Sequence, residues 1–187
     1  MSVVRITAYR FLSISLLLAY SMTHLSAQSA ASPEYEIKAV FLFNFSQFVQ
    51  WPAHSFPAEQ APLVIGILGE DPFGSYLKET VLGEKVNGHP ILVQHYNTVE
   101  EIKTCHILYI NLPETRLDQV VESLKGHNTL TVSDAPYFLQ HGGMIRFFTR
   151  NNKIQLKINL EPSKEANLVI SSKLLRLAEI YSPVKNN

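Results

Sequence analysis

The densest apolar pattern in the chain runs from Tyr35 to Pro52. At helical spacing Ile37, Phe41, Leu42, Phe45, Phe48 and Val49 share one broad face, while Val40, Phe43 and Trp51 lie on the other side among Asn44, Gln47 and Gln50. A surface helix hides one stripe and solvates the rest. Large side chains on both sides therefore predict a helix that is sandwiched in a core or partly reserved for a partner. Ser32, Pro33 and Glu34 supply an N-cap, a first-turn proline and a carboxylate that complements the helix dipole. Trp51 and Pro52 stop the helix, because a residue before proline is pushed out of the helical region. Core packing takes the larger share, through Phe41, Phe45, Phe48 and Val49. The surplus of Val40, Phe43 and Trp51, with Asn44 and Gln47 beside it, is either a second core contact against the last helix or a patch that meets another chain.

Beyond a Pro- and Ala-rich loop, Pro62 to Leu68 is a continuous apolar run rich in β-branched residues, the pattern of a buried strand. Gly69 to Gly74 then turns the chain into a helix expected from about Phe73 to Leu82, with Asp71 as cap and Pro72 in the first position. The alternation continues: strand Ile91 to Tyr96, short helix Val99 to Lys103, strand His106 to Ile110, helix Glu114 to Lys125, strand Thr129 to Val132. A short helix beyond Pro136 is expected to end at Gly142 and Gly143. Met144 to Thr149 and Lys153 to Asn159 are two strands joined through Arg150, Asn151 and Asn152, and Asn tolerates the positive φ of a tight hairpin. A last helix is expected from about Ser163 to Tyr181. The pattern predicts one α/β domain with a mainly parallel sheet of about six strands flanked by helices on both faces, a C-terminal antiparallel hairpin and a final helix.

The segment before this domain has a different character. Arg5 and Arg10 precede the apolar run Phe11 to Tyr20, and Leu25, Ser26 and Ala27 offer a cleavage site before Gln28. Residues 1–27 read as a secretory signal peptide and 28–187 as the exported domain. The run is shorter than the roughly twenty apolar residues that span a bilayer, and no Cys follows to accept a lipid, so the mature product is expected to be soluble and exported. The whole chain carries 16 basic and 16 acidic residues, and losing Arg5 and Arg10 leaves the mature part slightly acidic. No basic stripe in the sequence suggests nucleic acid as a partner. Cys105 is the single cysteine, which excludes an internal disulfide.

Chemical motifs are sparse. There is no nucleophile elbow, dinucleotide fingerprint or Walker loop, and no enzymatic activity, cofactor or metal is expected. Gly66, Gly69 and Gly74 surround the first strand-to-helix turn, where doubly wound folds hold phosphates, but Glu70 and Asp71 would repel one. Asp71 and Asp134 each follow a strand and precede a proline-marked helix start, which favours helix caps. The sharper alternative is a cation or small-ligand pocket at the strand ends, built from Asp71, Phe73, Gly74 and Asp134. Cys105 and His106 are neighbours on a strand and point to opposite faces, so they do not converge on one ion. His54, His89, His95, His127 and His141 show no ligand spacing and read as structural or surface residues.

Several segments together carry a family likeness. Tyr35 to Phe45 with Phe48 to Pro52, Gly69 to Gly74, Cys105 to Ile110, Thr131 to Asp134, Gly142 to Ile145, Asn152 to Ile154 with Ile158 and Asn159, and Asn167 to Ala178 resemble the YfiR family, in order and across essentially the whole mature chain. The resemblance implies a small periplasmic α/β protein that binds the periplasmic sensing region of an inner-membrane diguanylate cyclase and represses it. It also implies an outer-membrane lipoprotein as a further partner, and homodimerisation. The best-known members carry several cysteines whose disulfides tie function to redox state. Here Cys105 has no partner in its own chain, so redox control through an internal bridge is not expected. Two classes follow from this reading: a regulatory binding protein, and a periplasmic small-ligand sensor with its pocket at the strand ends.

Overall fold

The computed structural model describes residues 32–183, so the leader predicted over residues 1–27 lies outside the described residues. Helix α1 (Pro33–Phe48) starts where expected, with the Ser32 carbonyl accepting from the amides of Tyr35 and Glu36 at 2.8 and 3.1 Å. The Ser32 hydroxyl itself makes no capping bond. The helix stops before Trp51. Val49 and Gln50 turn extended and form strand β1 (Val49–Gln50), paired antiparallel with β9 (Val169–Ile170), while the Ser171 amide donates to the Phe48 carbonyl at 2.8 Å. A pairing more than a hundred residues away in sequence overrides the local helical tendency.

The remaining elements are β2 (Leu63–Gly69), α2 (Tyr76–Val81), β3 (Lys85–Val86), β4 (His89–Tyr96), β5 (Ile107–Asn111), α3 (Leu117–Ser123), β6 (Leu130–Ser133), β7 (Ile145–Arg150), β8 (Lys153–Ile158), α4 (Leu160–Glu165), α5 (Ser172–Leu175) and β10 (Ala178–Ile180). The central sheet is mixed and has eight strands in the order β10-β8-β7-β6-β5-β2-β4-β3, against the about six expected. Strands β4, β2, β5, β6 and β7 run parallel to their neighbours, and β7 and β8 form the antiparallel hairpin. Asn151 and Asn152 make its turn with φ of 52° and 56°, as their side chains allow. The additional strands are the short edges β3 and β10.

The last helix is the largest departure from the sequence reading. Instead of one helix from Ser163 to Tyr181, the chain forms α4, β9, α5 and β10. Asn167 adopts φ 56° just past α4, and the Leu168 amide reaches back to the Ser163 carbonyl at 2.9 Å, the left-handed cap that ends a helix. The chain then gains more by pairing: β9 with β1, and β10 parallel to β8. Two shorter helices also shrink. Val99–Glu101 is a single 3-10 turn, and residues 135–143 form successive turns rather than a helix.

Side-chain alternation in the strands sorts the core into two layers. Leu63, Ile65, Ile67, Ile107, Tyr109, Leu130, Val132, Ile145 and Phe147 face α1 and α2. Leu68, Leu108 and Ile110 face α3, which covers them with Leu117, Val120 and Val121. The sheet is thus covered from both sides at its centre, as parallel strands require. Gly66 has no room for a side chain: a Cβ there would lie 2.7 Å from both Cys105 Sγ and Tyr96 Cε2.

Candidate functional site

The buried stripe of α1 is rotated by about one residue from the periodicity expected. Lys38, Ala39, Leu42, Phe45 and Ser46 are buried, whereas Ile37, assigned to the core face by its spacing, is 48% exposed. Phe41 packs at a tilt against Phe45 and Phe147, with ring centroids 6.3 and 5.9 Å away. Phe43 and Trp51 are half-buried against the same core, and the indole Nε1 donates to the His106 carbonyl at 3.1 Å. That leaves a single outward row at i, i+3, i+7 and i+10: Ile37, Val40, Asn44 and Gln47. Its first two members are aliphatic and exposed, Val40 at 41%. The residues named from sequence as a partner patch therefore divide, with Val40 and Gln47 on the surface, Asn44 at its margin, and Phe43 and Trp51 turned inward.

The residue that sequence reasoning missed is Lys38, which is 2% exposed. Its ammonium lies 2.7 Å from Asp134 Oδ2 and 2.6 Å from Glu34 Oε1, and 4.3 Å over the Tyr35 ring. Tyr35 donates its hydroxyl to the same Asp134 oxygen at 3.2 Å. Burial alone would raise the Asp134 carboxyl, but the bond and charge of Lys38 outweigh it and hold the group below the usual carboxylate range. Burial likewise pulls Lys38 down, and its bonds to Asp134 and Glu34 more than reverse this. Tyr109 completes the cluster: burial, with Asp134 and Tyr35 nearby, raises its hydroxyl strongly, though it makes no well-formed hydrogen bond. Asp134 is thus an ion-pair partner for α1 and not the helix cap expected of it. The one available signal was the Glu34 and Lys38 spacing of i, i+4, which ordinarily marks a solvated pair.

This cluster fills the strand-end crevice. Phe73 is fully buried and meets Tyr35 and Tyr109 edge-on, with ring centroids at 5.7 and 4.9 Å. Gly74 sits beyond it at φ 56°. Asp71 accepts from the Phe73 amide at 2.8 Å and lies 3.6 Å from His95 Nε2, so it caps the turn at Phe73, while α2 begins only at Tyr76. Of the four residues named for a pocket, Phe73 joins the Asp134 cluster, and Asp71 has separate partners. A groove of about 530 Å³ does open elsewhere, beside the C-terminal end of α1, between Trp51, Phe56, Leu63, Val86 and His89.

Cys105 and His106 lie in the extended chain just before β5, two residues and one residue short of the strand, and still face opposite ways. Cys105 packs with Tyr96 and Leu108, and burial pushes its thiol up to about 12. His106 is buried between Phe56, whose ring stacks on it at 4.3 Å, and Trp51. Its Nδ1 accepts from the Val64 amide at 3.0 Å, which requires that nitrogen to be unprotonated. Burial, with His89 nearby and only the Ser55 backbone opposing, lowers the ring to about 4. Among the described residues no three His, Cys, Asp or Glu side chains are placed to hold a metal ion.

The domain thus combines an α/β sheet covered on both faces, a strand-end cluster of its own buried side chains, and an exposed aliphatic row on a helix held by an ion pair. A profile described as YfiR/HmsC-like matches residues 35–179, and the chain belongs to that family. The family suggests a periplasmic regulator in cyclic di-GMP signalling and is not a known family of enzymes. No curated protein matches the chain. None of the described helices is long and apolar enough to cross a membrane.

Proposed function

We propose that this protein represses a membrane diguanylate cyclase by docking on its periplasmic sensing region, and so lowers cyclic di-GMP. The observation that carries this reading is the outward row of α1, where Ile37 and Val40 expose aliphatic surface on a helix fixed in place by the Lys38 and Asp134 pair. An exposed aliphatic pair continued along the helix by the polar Asn44 and Gln47 has the mixed make-up of an interface patch. Repression requires only that the domain bind the inactive state of the cyclase more tightly than the active one. A stable contact needs more than about 1,000 Å² in total, so neighbouring surface, a second copy of the chain, or a lipoprotein partner would complete it.

Loss of the gene should raise cyclic di-GMP and biofilm, and unchanged levels would count decisively against the proposal. Ile37→Glu and Val40→Glu should fail to complement that loss while melting close to the parent, because nearly half of each residue is already exposed. The alternative, a small-ligand sensor with its pocket at the strand ends, has weaker support, since Phe73 has no exposed surface and Asp134 is already paired.

A further inference from the structure

The hairpin β7–β8 has two unlike faces. Ile145, Phe147, Leu156 and Ile158 point to α1 and are buried. The opposite face carries Arg146, Phe148 and Arg150 on β7, set directly across from Lys157, Gln155 and Lys153 on β8. Both charged pairings, Arg146 with Lys157 and Arg150 with Lys153, put cation opposite cation. Like charges directly across an antiparallel pair destabilise it. The apolar cluster under α3 includes no residue of β7 or β8.

Two details show what the strip accepts. Glu179 on the three-residue edge strand β10 bonds Arg150 Nη1 at 2.5 Å and Lys157 Nζ at 3.2 Å, and both cations lie over the Phe148 ring at 5.1 and 5.4 Å. This single carboxylate leaves Arg146 and Lys153 without an ion-pair partner among the described residues. The unmet demand is for further carboxylates.

We propose that this face of the hairpin binds an acidic segment of a partner protein, whose Asp or Glu side chains pair with Arg146, Arg150, Lys153 and Lys157 across Phe148. Guanidinium forks match carboxylates two bonds at a time. A membrane surface is the poorer fit, because surface binders add apolar side chains that enter the headgroups, whereas the one ring in this strip is half-buried between cations. The proposal is independent of the α1 surface and of the cyclase reading.

The test is a fluorescence-anisotropy titration of the purified protein with a labelled oligoglutamate peptide, at low and at physiological salt. The double variant Arg146→Gln/Lys153→Gln should bind about tenfold more weakly. It should also melt no lower than the parent, because it relieves a like-charge pairing at each end of the strip. The charge-matched control Lys78→Gln/Lys173→Gln, at exposed sites elsewhere, should bind as the parent does. Absence of parental binding, equal weakening in the two doubles, or a lowered melting temperature in the first would each overturn the proposal. So would binding to phosphatidylglycerol vesicles without binding to the peptide.

Discussion

His106 ties the stability of this protein to mild acid. Its ring is buried, its Nδ1 accepts the Val64 amide of the central strand β2, and its pKa falls from 6.5 to about 4, mainly through burial. Protonation would turn that acceptor into a donor facing an N–H. The unfolded chain takes the proton near 6.5 and the folded chain only near 4, so between these values the unfolded state holds more protons and stability falls as pH falls. The contribution is fully present above 6.5, declines through the window and is lost below about 4. At about 1.4 kcal/mol per pH unit, it amounts to about 3 kcal/mol. The Lys38 and Asp134 pair does not interfere, because Asp134 titrates below its usual 3.8. Urea denaturation at pH 7, 5.5 and 4.5 measures the effect, with His106→Asn as the comparison. Asn keeps an acceptor near the Nδ1 position and cannot titrate, so the variant should start less stable at pH 7 and lose much less on acidification. An identical pH dependence in the two proteins, or a folded His106 titrating near 6.5 by NMR, would refute the reasoning.

Other consequences are as direct. Asp134→Ala should cost about 2–3 kcal/mol in urea denaturation, because it removes one of the two counter-charges of a buried ammonium and leaves Glu34 as the other; the double variant Lys38→Met/Asp134→Leu should recover most of the loss, and failure to recover it would mean the pair does more than neutralise itself. Cys105, buried with its thiol near 12, should resist iodoacetamide at pH 8 until urea is added, and mild oxidant should leave the monomer band on a non-reducing gel; a quantitative dimer band would refute this. Phe43→Ser should lower stability by about 1–3 kcal/mol, since the ring packs on the core; lost repression with unchanged melting would instead assign Phe43 to an interface.

The strand alternation, the parallel connections and the Asn151–Asn152 hairpin were readable because each rests on local chemistry: β-branched runs, proline-marked starts, side chains that tolerate positive φ. The Cys105 and His106 divergence was readable for the same reason, since strand geometry alone separates neighbours. What sequence could not supply were pairings between distant segments. Nothing near Val49 announces that Ile170 will end its helix, and the apolar spacing of Leu168 to Ala178 reads as helical until β1 and β8 offer ladders to join.

The site divides along the same line. Spacing along Tyr35 to Pro52 already says that this stretch carries more apolar surface than one docked face uses. Which side chains form the surplus depends on a distant contact: Asp134, arriving from the end of β6, makes it favourable to bury Lys38 and so turns Ile37 and Val40 outward. A buried charge is stable only beside its counter-charge, and that partner lies 96 residues along the chain.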